Sequence, residues 1–213
     1  MEESETRVKK QKAKKGKEDA TLLYLARHGQ VVNEGVYNGQ NNVDITPLGV
    51  KQMERLRDLL QDKKISAVYS SDLLRTQRGA DMIGAAHGLN PQYCPEFREM
   101  HFGRWQGLSY KEVSERYPSD IPQWLEDLEH SRVPEGESLC DAGNRAVPKL
   151  RELVEKHQGE EILLVCHGAL NRVILAEALQ LPVKYVMRIE QDYGCLNIIE
   201  YGSTWTAVKL ING

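Results

Sequence analysis

The chain has 213 residues, 40% hydrophobic and 28% charged, with a formal charge of -3. That balance suits one soluble globular domain with a sizeable core plus a tail. Residues 1–20 hold seven basic residues against five acids, which leaves -5 for the remainder, and a slightly acidic body argues against a nucleic-acid-binding surface.

Residues 1–20 are polar and Lys-rich, with almost nothing to bury, and read as a disordered tail. A basic arm for nucleic acid is the functional alternative, and the lack of aromatic residues disfavours it. The stretch has no apolar leader, and no later run approaches the roughly 20 apolar residues of a membrane span. Four widely spaced cysteines (Cys94, Cys140, Cys166, Cys195) resemble neither a metal clip nor a disulfide framework. Buried free thiols in a cytoplasmic protein are the expectation.

Leu22 to Ala26 is an apolar run that stops on Arg27-His28-Gly29, and it reads as a strand buried on both faces. Ligands of open α/β sheets bind just beyond the carboxyl ends of strands, where Arg27 and His28 fall. Gly29 is expected to let backbone approach a ligand closely. A polar loop over 29–45 follows. Thr46-Pro47 then starts a helix as cap and first helical residue, with Val50, Met53, Leu56, Leu59 and Leu60 as its apolar stripe. Ile65 to Tyr69 reads as the second strand. Asp72 is expected to cap the next helix, which Gly88 stops, and Arg75 lies in its first turn.

Gln92 to Cys94 is a short third strand, and Glu99 follows it. Residues 109–130 predict two short helices broken at Pro118 and Pro122, carrying Tyr110, Tyr117 and Trp124. Residues 134–138 form a loop. A helix over 138–157 has one apolar face (Leu139, Ala142, Ala146, Leu150, Leu153) and a kink expected at Pro148. Ile162 to Cys166 is a second buried strand that also delivers a His-Gly, His167-Gly168. A helix over 169–179 and an antiparallel pair, 195–201 and 204–211, complete the chain. The alternation predicts a three-layer α/β/α domain, its sheet mostly parallel with an antiparallel C-terminal strand.

Arg27, His28, Arg75, Glu99 and His167 therefore fall at or just past strand ends, a set suited to a phosphoryl group. Arginines pair with phosphate oxygens and offset charge that spreads over them. Neutral imidazole is a competent nucleophile toward phosphorus. A second imidazole, as cation or donor, can stabilise the equatorial oxygens. A carboxylic acid can protonate the leaving alkoxide and then deprotonate water, if burial and the phosphate's charge raise its pKa. His28, His167 and Glu99 also have the ligand types of a metal site, but two arginines would repel a divalent cation. Cys166 as a thiol nucleophile is disfavoured, because neighbours on a strand point to opposite faces. His87, His101, His130 and His157 are expected to be surface or structural.

The stretches Leu25-Ala26-Arg27-His28-Gly29, Ser71-Asp72-Leu73-Leu74-Arg75, Glu99 ahead of Gly103-Arg104-Trp105-Gln106-Gly107, and Val165-Cys166-His167-Gly168 resemble the histidine phosphatase (phosphoglycerate-mutase-like) superfamily. The likeness runs from residue 21 to 213, making 21–213 the phosphatase domain and 100–140 its lid. It implies that His28 becomes phosphorylated and Glu99 is the proton donor. It also implies that Arg27, Arg75 and His167 surround the phosphate, that Asn33 and Gly168 join in binding it, and that no metal or cofactor is needed. Asn33 fits the family's pattern only with a one-residue loop shortening, because it stands five residues past His28 rather than six. Gln30-Val31 stands where Glu-Ser/Thr is usual, and Gly79 where a Thr is common.

The lid lacks the longer insertion, and the first loop the Trp, that phosphoglycerate mutases carry, so a phosphoric monoester hydrolase is expected. The stretch 188–198 is similar to the α-ribazole phosphatase branch, and the expected partner is a small phosphorylated metabolite. Trp105, Tyr110 or Trp124 could stack on an aromatic base, although packing the lid is the plainer reading. The alternatives are a cofactor-dependent phosphoglycerate mutase and a non-catalytic phosphate- or phosphoprotein-binding module. A homodimer is compatible with the sequence.

Overall fold

A computed structural model describes residues 19–213. The Lys-rich stretch read as a disordered tail therefore lies outside the described residues up to residue 18. The sheet comprises β1 (Thr21–Arg27), β2 (Ile65–Ser70), β3 (Gln92–Tyr93), β4 (Glu161–Cys166), β5 (Leu196–Tyr201) and β6 (Thr206–Leu210), in spatial order β3-β2-β4-β1-β5-β6. The first four run parallel. The expected antiparallel pair closes the sheet, β5 beside β1 and β6 at the edge.

Period-two alternation sorts β1 and β4 between two cores. Leu23, Leu25, Ile162, Leu164 and Cys166 face one cluster, and Tyr24, Ala26, Leu163 and Val165 face the other. The second cluster is closed by α1 (Pro47–Leu60) and α2 (Leu74–Ala86), through Met53, Leu56, Leu60, Ala80 and Ile83. The first is closed by α5 (Leu139–Lys156) and α6 (Gly168–Ala178). All five residues of the expected apolar face of α5 are buried, and the helix is continuous across Pro148. Burying each large aliphatic side chain contributes about 1.5–3 kcal/mol.

Two expectations about helix boundaries fail. Asp72 does not cap α2, because both its oxygens accept from Arg98, at 2.6 Å and 2.5 Å. The two short helices of the lid are α3 (Tyr110–Arg116) and α4 (Asp120–Glu126), and Pro122 lies inside the first turn of α4 rather than breaking it. A proline is tolerated there because the first-turn N–H groups lack intrahelical partners anyway. Residues 100–140 pack on the body. Trp105 is fully buried, meets Trp124 edge to face at 5.7 Å, and donates its indole N–H to Asp120 at 2.9 Å. Asp120 also accepts from Arg104 through both oxygens.

Candidate active site

Register alone brings the two His-Gly units together. In the parallel β1–β4 pair Arg27 stands opposite Cys166, so His28 and His167 leave the sheet side by side, and the His28 N–H donates to the Cys166 carbonyl at 3.0 Å. The ring centroids are 5.3 Å apart with planes at 64°. In the neighbouring β2–β4 pair Ser70 stands opposite Val165, and Ser71 reaches His167 from the other side.

The hydrogen-bond partners fix the tautomer of each ring. His28 Nδ1 lies 2.8 Å from the Gly29 carbonyl, which can only accept, so Nδ1 carries the proton and Nε2 keeps a bare lone pair. His167 Nδ1 faces the Nε–H of Arg75 at 3.2 Å, which can only donate, so its proton is on Nε2. Burial, reinforced by Arg75, holds both imidazoles well below the ordinary value, and both are neutral near pH 7.

Arg75 is fully buried, and burial pushes its guanidinium down to about 10, still a cation near neutrality. It donates to His167 and to the carbonyls of Asn41 and Gly39. These bonds commit three of its five N–H groups. Arg27 donates to the Gln191 carbonyl at 2.6 Å and stacks on Tyr193, 3.9 Å from the ring centroid, while its buried Nε–H has no partner. Its packing explains Gly168, where a Cβ would come within 3.3 Å of Arg27 Cζ and Nε. Gly29 has a different reason from the one expected: a Cβ there would collide with the Gly49 carbonyl, so the close approach is by helix α1 and not by a ligand.

Glu99 is buried, and its carboxylate meets the positive end of α6. It accepts from Ala169 N and Leu170 N, each at 3.1 Å, and from Met100 N at 3.0 Å. Arg145 holds the backbone beneath it, donating to the carbonyls of Glu96 and Glu99 and pairing with Glu137.

Arg27, His28, Arg75, Glu99 and Gly168 line one cleft of about 260 Å³, with Tyr193 and Arg172 beside them. His167 is fully buried beside two of these residues, its ring 5.3 Å from that of His28 and its Nδ1 accepting from Arg75. Asn33 is not brought in. It sits in an exposed turn between two bridged residues, Val31 and Val36, and its carbonyl accepts from Asn38, which does line the cleft. Much of the remaining wall is apolar, with Val31, Val36, Tyr37, Phe102, Leu139 and Val186. Trp124 lines the cleft, Trp105 belongs to the lid core, and Tyr110 is 61% exposed.

Cys166 turns away as expected, its thiol donating to the Phe97 carbonyl while burial pushes its pKa up. His101 accepts from Gly103 N, and His157 bonds Tyr69 and Glu160, which are structural roles. His130 is an exposed partner of Asp127, and His87 follows the last turn of α2. Among the described residues no group of three or more His, Cys, Asp or Glu is placed to hold a metal ion. Nor is any described helix long and apolar enough to cross a membrane.

Sequence reasoning missed Arg172 and Tyr193. Arg172 lies one turn beyond Gly168 on α6, so helical spacing could have found it. Tyr193 comes from the loop before β5, and no local pattern marks it.

Residues 23–213 match the family described as "Histidine phosphatase superfamily (branch 1)". The chain is 26% identical over 192 residues to the adenosylcobalamin/alpha-ribazole phosphatase of Escherichia coli K12, covering 89% of this chain and 95% of that protein. It is 29% identical over 188 residues to a Yersinia pestis protein named "Probable phosphoglycerate mutase GpmB", covering 87% of each. Among solved structures it is similar to a mycobacterial glucosyl-3-phosphoglycerate phosphatase in complex with VO3, with a TM-score of 0.82 and 26% identity over 90% of this chain and 99% of the other.

Proposed function

The chain belongs to the histidine phosphatase superfamily, and on that premise we propose that it hydrolyses small phosphomonoesters through a phosphohistidine at His28. The observation that carries this reading is the state of that ring: neutral, with Nδ1–H tied to a carbonyl and Nε2 bare, in a cleft that also holds the guanidinium groups of Arg27, Arg75 and Arg172.

Nε2 attacks phosphorus and the bond to the leaving alkoxide breaks, with Glu99, in its carboxylic acid form, supplying the proton that the alkoxide takes up. Water then attacks the phosphohistidine, its proton returns to Glu99, and the P–N bond breaks to regenerate the imidazole. Arg27 and the two uncommitted N–H groups of Arg75 offset the charge on the equatorial oxygens. His167 supports this by holding Arg75. Gly168 leaves room for Arg27, and Asn33 has no part in this scheme.

Within that class the reading is an α-ribazole-5'-phosphate phosphatase or a related small-metabolite phosphatase. The apolar wall supports it, since such a wall suits an aromatic or aliphatic leaving group. A phosphoglycerate mutase is the second reading, favoured by the likeness to the Yersinia protein. Its small, multiply charged substrate would gain little from that wall.

A panel of phosphomonoesters assayed in EDTA, with His28→Ala as control, tests the proposal. Expected is EDTA-insensitive hydrolysis, fastest for leaving groups with an aromatic base and lost in the variant. Conversion of 3-phosphoglycerate to 2-phosphoglycerate, dependent on a bisphosphate primer and faster than any hydrolysis, would overturn it in favour of the mutase. Phosphate binding with no turnover of any ester would leave only a binding module.

A further inference from the structure

Behind the cleft, Ser71 and Thr76 form a hydroxyl pair that nothing above uses. Both are fully buried. Ser71 Oγ lies 2.8 Å from His167 Nε2 and 2.7 Å from Thr76 Oγ1. Thr76 Oγ1 in turn lies 2.8 Å from the Leu73 carbonyl, and Leu73 N donates to Ser71 Oγ at 3.3 Å.

The direction of every proton in this chain follows from its two ends. The guanidinium of Arg75 cannot accept, so its Nε–H donates to His167 Nδ1, and the proton of the neutral ring is on Nε2. Nε2–H must then donate to Ser71 Oγ. The carbonyl of Leu73 cannot donate, so Thr76 donates to it and takes the Ser71 proton. The opposite setting, with Ser71 donating to Nε2, would place an Nδ1–H against the Nε–H of Arg75. Two buried donors would then face each other, each without an acceptor, at a cost of about 1–3 kcal/mol per group.

We propose that Ser71, backed by Thr76, is a positioning residue for the reaction: its oxygen takes the Nε2 proton of His167 and so presents Nδ1 as a bare lone pair that anchors Arg75. The proposal rests on the reading of Arg75 as a phosphate ligand. It adds that Arg75 is aimed from the sheet side, through an imidazole that Arg75 and a serine hold from opposite nitrogens. Ser71 touches neither substrate nor the attacking ring. It stands one residue past β2, opposite the level of β4 where Cys166 leads into His167, so strand register and not loop conformation delivers it.

The test combines kinetics with the nitrogen resonances of His167 in isotopically labelled protein. Wild type should show Nε2 protonated and Nδ1 bare. Ser71→Ala and Thr76→Val should shift the His167 Nε2 resonance, whose acceptor they remove or redirect, and lower kcat for p-nitrophenyl phosphate on the order of tenfold or more, the scale seen when a residue that orients a functional histidine is removed. Thr76→Ser, which keeps the hydroxyl, should restore both readouts. A purely structural role would lower the melting temperature and leave kcat of the folded fraction unchanged, which would overturn the proposal. So would wild-type His167 with its proton on Nδ1. If Ser71→Ala does not fold, the wild-type resonances and the Thr76 pair still decide. If wild-type protein hydrolyses no phosphomonoester, the functional reading fails, while the tautomer measurement still answers for Ser71.

Discussion

His28 and His167 meet edge to face at 5.3 Å, and neither ring carries a charge. Two cations at that distance in a buried site would repel each other and the arginines beside them. Burial and Arg75 keep both rings neutral instead, and the nucleophile is ready without prior loss of a proton.

This has a consequence for pH. A histidine with a lowered pKa stays deprotonated to lower pH than an ordinary imidazole, so the acid-side loss of kcat/KM should be centred below 6.5 once substrate ionisation is subtracted. An enzyme midpoint at or above 6.5 would count against a neutral His28 in the free protein.

Glu99→Gln keeps the shape of the side chain and, with its amide oxygen at the Oε1 position, the contacts from Met100 N and Leu170 N; it loses the acceptor for Ala169 N and the transferable proton. Hydrolysis of alkyl phosphates should fall by about 100-fold or more, and that of p-nitrophenyl phosphate far less, because p-nitrophenolate leaves without protonation. Equal slowing of both substrates would remove Glu99 from the role of acid.

Gly168→Ala adds a Cβ 3.3 Å from Arg27 Cζ and Nε, a distance at which the guanidinium must shift by a few tenths of an ångström. Inhibition by vanadate or inorganic phosphate should weaken several-fold, with a melting temperature close to wild type. Unchanged inhibition would mean that Arg27 does not grip the anion.

Asp120 is buried, and Arg104 and Trp105 both depend on it. Asp120→Ala should cost about 2–3 kcal/mol in denaturant unfolding, chiefly because the Trp105 N–H is left buried and unpaired. A loss below about 0.5 kcal/mol would show that water replaces the carboxylate and that the lid core is open.

The strands and the main helices could be read along the chain because each carries its own burial pattern. Leu23 and Leu25 alternate with Tyr24 and Ala26 between two cores, and α5 shows one apolar face. His28, Arg75, Glu99 and His167 could be located for the same reason, since each follows a readable strand or opens a readable helix.

What escaped depends on contacts distant in sequence. Asp72 looks like a helix cap until Arg98, 26 residues later, takes its carboxylate. Asn33 matches a pattern, but the turn between Val31 and Val36 carries it outward and brings Asn38 to the cleft. His167 reads in the sequence as a strand-end imidazole, but the partners of its two nitrogens, Arg75 and Ser71, stand 92 and 96 residues away.

The most direct test is to quench a brief incubation with a 32P-labelled phosphomonoester and locate the label. The account predicts one acid-labile, base-stable phosphoryl group on His28, absent from His28→Ala. Turnover without any trapped label, or label that survives acid on a serine or cysteine, would contradict it.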